Sequence, residues 1–178
     1  EDAYAYKVDG EWSIAEVNCT DGSTTTCDSG CPYPFASCPV SEFPFCSSFD
    51  ADLGDWTAEA VSGDANWSSA ASNYNSSVTP LTGAGMAYIY SPNSVANLIS
   101  PAMDISGVAN PRVTFSYAQP SWAGDQDELR VWYKAAAGDG WTELAAYTSS
   151  VTAWETVTLD LPNASSDYYV AFNGTAGY

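Results

Sequence analysis

The side chains able to do chemistry in this chain are 22 carboxylates, 5 cysteines and a set of aromatics that includes 7 Trp and 12 Tyr; histidine is absent. Without histidine there is no Ser-His-Asp or Cys-His nucleophilic site and no His-ligated metal. No Gly-rich phosphate loop follows a strand, and Gly83-Ala84-Gly85 reads as a short turn. A carboxylate pair of the glycosidase kind is compatible with the composition. With 22 acids, however, some pair always falls at a workable spacing, so that spacing carries no weight. Hard cations want several oxygen ligands, which makes structural calcium the cofactor these residue types favour. Solvated loop carboxylates are the competing reading, and no EF-hand spacing is present. Catalysis by this chain is not expected.

Cys19, Cys27, Cys31, Cys38 and Cys46 all lie in the first 46 residues of the chain. Their spacing lacks CxxC pairs, which disfavours zinc and favours a disulfide-stapled segment in an oxidising compartment. Their number is odd, so one thiol is left over or pairs outside the chain. Sequons at Asn18, Asn66, Asn75, Asn163 and Asn173 point to the same extracellular, cell-surface setting. Four Lys and Arg against 22 acids give a net charge of −18. That excludes nucleic acid as a partner and disfavours anionic membrane surfaces. No apolar run approaches the ~20 residues that a membrane-spanning helix needs, so no membrane insertion is expected. The chain opens without a basic, apolar leader, as expected where a signal peptide has been removed or is not included.

The elements that must position these residues are short strands. Residues 1–48 form a separate zone: two strand candidates around Asp9-Gly10, then a Cys-, Ser- and Pro-rich stretch read as a disulfide-held arm. The globular body is expected from Phe49. Residues 68–80 read as a loop. Val113, Phe115 and Tyr117 alternate onto one face, as do Leu129, Val131 and Tyr133; Val157, Leu159 and Leu161; and Tyr168, Val170 and Phe172. No helical period of useful length occurs. Many short strands, each with one apolar face, predict an all-β antiparallel sandwich of two packed sheets. Trp122, in the Pro- and Gly-flanked stretch 119–124, is the candidate ligand-binding residue, since an exposed Trp stacks on sugars or anchors interfaces. The alternative is that it folds back over the end of the sandwich. Trp132 points away from Leu129, Val131 and Tyr133, onto the outer face or under a covering loop. Trp56, Trp67, Trp141 and Trp154 read as structural.

In order along the chain stand Phe49-Asp50 with Trp56, Asp64-Ala65-Asn66-Trp67, Leu98-Ile99-Ser100-Pro101, the strands at 113–117 and 127–133, Trp154, and Phe172-Asn173-Gly174-Thr175-Ala176-Gly177. This set resembles MAM domains and their bacterial relatives, the cleaved-adhesin and choice-of-anchor J modules of secreted surface proteins. The resemblance covers roughly residues 46–178 and implies a jelly roll over 49–178. It also implies a calcium site drawn from Asp50, Asp64 and Asp127, with Asp52 and Asp125 as neighbours. Family members continue with a Gly-rich turn and a final strand, whereas this sequence stops at Tyr178. The expectation is a sandwich one strand short, with an open edge that something in cis or in trans completes.

Three functions follow as expectations. The first is an extracellular adhesion or recognition module that binds protein or glycan at a cell surface. The second is a filament or coat subunit that self-assembles by strand donation. The third is a carbohydrate-binding module.

Overall fold

The computed structural model describes residues 43–90 and 92–177 in full, and the backbone of four short strands in the N-terminal arm. In the arm, β1 (Tyr4–Val8) pairs antiparallel with β2 (Glu11–Ala15), and β3 (Val17–Asn18) with β4 (Thr24–Thr25). The β1–β2 pair is the hairpin expected around Asp9-Gly10. Cys19, Cys27, Cys31 and Cys38 lie outside the described residues.

The body is all-β, with no helix among the described residues. Its main layer is a five-stranded antiparallel sheet in the order β11 (Thr142–Tyr147), β10 (Glu128–Lys134), β13 (Tyr169–Ala176), β8 (Ser94–Ile99) and β5 (Thr57–Ser62). Strict alternation creates its inner face. In β10, Leu129, Val131 and Tyr133 are buried while the residues between them are not. In β8, Ser94, Ala96 and Leu98 do the same. Trp132 alternates outward, opposite Ala171.

The second layer consists of two separate ladders. One pairs β9 (Arg112–Gln119) with β12 (Val151–Asp160), and the other pairs β6 (Trp67–Ala70) with β7 (Met86–Ile89). Cross-strand hydroxyl bonds at 2.9 Å (Thr114–Thr158) and 2.8 Å (Ser116–Thr156) tie the outer face of the first ladder. Residues 68–70, read from sequence as the start of a loop, belong to strand β6.

The core is solid at one end. Met103, Ile105, Val131, Tyr133, Leu161, Tyr168 and Val170 form one buried cluster, with Tyr133 and Tyr168 stacked at 5.6 Å. Phe43 and Phe45 pack against this cluster as well, so contact with the body begins ahead of Phe49. The inward-facing Val113, Phe115 and Phe172, which pack against this cluster, and Trp67 are only half-buried.

Candidate functional site: an open slot between two strand edges

The half-buried rings line a cleft of about 1000 Å³. Its floor is the inner face of the five-stranded sheet, including Leu98, Val170, Phe172 and Gly174. Its walls are β9 and β7. Every residue from Arg112 to Gln119 and from Gly85 to Tyr90 borders the space, whereas β12 contributes only Trp154 and Thr158, and β6 only Trp67. A strand seen face-on presents every second residue. Contact with an unbroken run therefore means that the edges of β9 and β7 face the cleft. Their opposite edges are the ones paired with β12 and β6. Residues of the segment following β6, among them Asn73, Val78 and Leu81, also border the space. That segment is tied to the β9–β12 ladder by the Trp154 indole N–H, which donates to the Thr79 carbonyl at 2.9 Å.

Aromatic contacts run along the floor and one wall. Phe172 meets Phe115 edge-on at 4.9 Å and stacks with Trp56 at 5.7 Å, and Tyr147 reaches Phe115 at 6.0 Å and Tyr117 at 4.6 Å. Trp67 inserts over Gly174, where an added Cβ would sit 2.8 Å from its Cζ2, and its indole N–H donates to Ala96 O at 3.0 Å. Trp56 and Trp67 are therefore structural, as expected. The signal for Trp67 was the glycine inside a strand, which marks a close approach.

The rim is acidic. Asp50, Asp125, Asp127 and Glu128 border the cleft. The one basic side chain among its described lining residues, Arg112, already pairs with Asp160 at 2.8 Å. Trp122 also stands on this rim, 51% exposed, at the base of a tight turn in which it and Asp125 exchange backbone hydrogen bonds of 3.0 and 2.8 Å. It does not fold back over the sandwich end.

The three acids expected to hold calcium are not brought together, and among the described residues no three such side chains converge on a metal site. Each is placed separately. The Asp50 carboxylate accepts the N–H groups of Ala84 (2.8 Å) and Gly85 (3.3 Å). Burial pushes its pKa up, but hydrogen bonds from Ala84, Ser48 and Gly85 together outweigh this and hold it below the usual carboxylate value. Gly83, at φ +67°, leaves room for that carboxylate, so the 83–85 turn is an anchored loop. The two partners are 34 residues apart, which is why no local pattern revealed the anchor. Asp127 accepts the Gly177 N–H at 2.9 Å. Asp64 is exposed, its own N–H donating to Ser94 Oγ at 3.2 Å.

Cys46 is half-buried, its Sγ 3.9 Å from the Pro44 carbonyl. Of the sequon asparagines, Asn66, Asn75 and Asn163 are exposed, Asn163 donating to the Tyr133 hydroxyl at 2.9 Å. Asn173 sits within β13 and donates its amide to Asn97 Oδ1 at 2.7 Å. Asn18 lies on β3.

No protein-family model matches the chain, and no curated protein matches it significantly. Among solved structures, the chain is similar to the K1 cleaved adhesin domain of Lys-gingipain from Porphyromonas gingivalis W83. The identity is 20%, the TM-score is 0.52, and the match covers 74% of this chain and 87% of that one. The likeness is one of fold, a β-sandwich. A xylan-binding domain of carbohydrate-binding module family 22 matches at 17% identity and TM-score 0.47, over 79% of this chain and 88% of that one.

Proposed function

We propose that this chain is a non-catalytic adhesion or recognition module of the MAM-like, cleaved-adhesin kind, working outside the cell, and that the slot between β9 and β7 is its binding element. The observation that carries this is the slot itself. A cleft of about 1000 Å³ with an apolar, aromatic floor and two strand edges that pair with no other strand among the described residues is a surface that water satisfies poorly and a protein partner satisfies well. The absence of histidine, the acidic surface, the cysteines and the exposed sequons support an extracellular binding role.

The test is binding of the purified chain to surfaces coated with extracellular proteins or with glycans, using two variants. Ala87→Arg places a charged side chain on β7, on the same face as Ile89, where it enters the slot. Trp122→Ala removes the exposed rim indole. Protein binding abolished by Ala87→Arg, with the circular-dichroism spectrum retained, supports the slot. Glycan binding abolished by Trp122→Ala, with Ala87→Arg silent, refutes it in favour of a sugar site at the rim.

A further inference from the structure

We infer that a second site, on the outward face of the β6–β7 ladder, stacks one neutral pyranose unit of a glycan carried by another molecule on a row of three tyrosine rings, Tyr88, Tyr90 and Tyr74. It goes beyond the slot and stands whatever fills the slot.

The row follows from strand alternation. Ile89 packs inward on Gly174, so Tyr88 on β7 and Tyr90 just after it turn to the outward face. Their rings are nearly parallel, 12° apart with centroids at 6.3 Å. The turn after β6 brings Tyr74 onto the same row, where its ring stacks on Tyr90 at 4.9 Å and 2°. Tyr90 thus touches both neighbours, and Tyr74 ends the row. Tyr74 is 70% exposed and Tyr90 47%. A strand paired to the free edge of β7 would lie beside this face and not over it.

The row is held before any ligand arrives. The Tyr74 N–H donates to the Tyr88 hydroxyl at 3.0 Å. Asn73 closes the turn: its N–H donates to Val78 O at 3.0 Å, its side-chain oxygen accepts the Val78 N–H at 2.9 Å, and its amide donates to Ser77 Oγ at 3.0 Å. A ring fixed in this way offers a flat face at little ordering cost.

The surroundings set the chemistry of the ligand. No Asp, Glu, Lys or Arg occurs from Ala65 to Met103, in a chain that carries 22 acids. That stretch holds β6, the turn, β7 and β8. Beside Tyr74 stand the amide of Asn75 and the hydroxyls of Ser76 and Ser77, all exposed. Burial foremost pushes the Tyr88 hydroxyl up, the Tyr74 N–H opposes it, and Asp127 adds least. Asp127 therefore acts weakly, at the end of the row away from Tyr74, and its carboxylate already accepts the Gly177 N–H. A ring face with neutral donors and acceptors around it suits a neutral polyol, whose C–H face stacks while its hydroxyls meet amides and hydroxyls. Two exposed rings are also far smaller than the roughly 800 Å² per partner that a stable protein interface buries. One sugar unit matches that size.

The test is NMR titration of the full chain, made in a host that adds no N-glycans, with neutral and with sialylated oligosaccharides at millimolar concentration. Neutral oligosaccharides should shift the ring signals of Tyr74 and Tyr90, and their affinity should change less than about twofold between low and high salt. Tyr74→Ala should weaken binding about tenfold with the circular-dichroism spectrum retained. Tyr74→Phe should keep it, because the ring does the stacking, and Trp122→Ala should leave it unchanged. The inference is overturned if no neutral sugar shifts these rings, if binding survives Tyr74→Ala or is lost in Tyr74→Phe, or if only charged sugars bind and salt abolishes them. Binding lost in Trp122→Ala and kept in Tyr74→Ala moves the sugar site to the rim. Ring shifts that appear only when Asn75 carries its own glycan, and vanish in Asn75→Gln, give the row to the chain's own sugar and overturn it too. Each of these failures leaves Ala87-sensitive protein binding, and with it the slot, untouched.

Discussion

Substituting Gly174 by Ala tests how the two layers are locked together. The backbone at Gly174 is not in the left-handed region, so alanine fits the strand conformation. Packing is the obstacle. A Cβ there would stand 2.8 Å from Trp67 Cζ2 and 3.0 and 3.1 Å from two carbons of Ile89, with the Trp67 indole held in place by its bond to Ala96 O. Overpacking of this kind costs about 1–3 kcal/mol, which lowers the melting temperature of a domain this size by roughly 2–4 °C per kcal/mol. The decisive measurement is a double-mutant cycle by urea denaturation with Trp67→Phe, whose smaller ring withdraws the clashing atom. In that background Gly174→Ala should cost clearly less, giving a coupling on the order of 1 kcal/mol. If the two substitutions add to within about 0.5 kcal/mol, the insertion of Trp67 over Gly174 is not what joins the β6–β7 ladder to the main sheet.

Asp50→Ala should weaken the 83–85 loop by less than about 1 kcal/mol, because the carboxylate is solvent-screened. Its lowered pKa means the contribution is present above the unfolded value of 3.8 and lost as pH falls through the folded one, so the variant should show a shallower loss of stability in acid denaturation. Tyr168 behaves in the opposite sense. Burial, then the neighbouring Tyr133, pushes its hydroxyl far above 10.0, so its contribution is present below pH 10 and lost as pH rises. Tyr168→Phe should extend the alkaline limit of folding, and an unchanged limit by circular dichroism would count against it. Calcium on the order of 1 mM, the range of weak extracellular sites, should leave the melting temperature unchanged, because no three acids converge among the described residues; a rise of several degrees lost in Asp127→Ala would show that the loop acids close around the ion. In a glycosylating secretory host, peptide mapping should find glycan at Asn66 or Asn75 and none at Asn173, whose amide is committed to Asn97.

The central strands were legible because burial and alternation coincide there. In β10 each inward position is apolar and buried and each outward one is half-exposed, which is the signal a period of two carries. The strand β5 escaped notice for the converse reason. Thr57–Ser62 lies at the sheet edge, its inward residues are Ala58 and Ala60, and nearly all of it is exposed, so no apolar row marks it. Ser68 and Ser69 hid β6 in the same way: the strand is held by its pairing with β7 and by Trp67, with little contributed by composition. The slot itself could not be read from periodicity. Val113, Phe115 and Tyr117 announce an inward face, but a pattern of two says nothing about which backbone edges find a neighbour.

The half-buried residues of the slot explain how a hollow sandwich can still present a defined surface. The buried cluster around Tyr168 and Val131 supplies a solid end, and the chain of rings from Trp56 through Phe172 and Phe115 to Tyr147 carries rigid packing into the open end. These rings lock one another, so the floor and the β9 wall are formed before any guest arrives. A protein partner then forgoes most of the ordering cost that a collapsed cleft would impose, and its own ordering is the main cost that remains. Amide exchange on partner binding should therefore slow at the β7 and β9 edges, with no general tightening of the sheet. A guest-induced slowing spread evenly over β8, β10 and β13 would instead mean that the slot is made by the ligand.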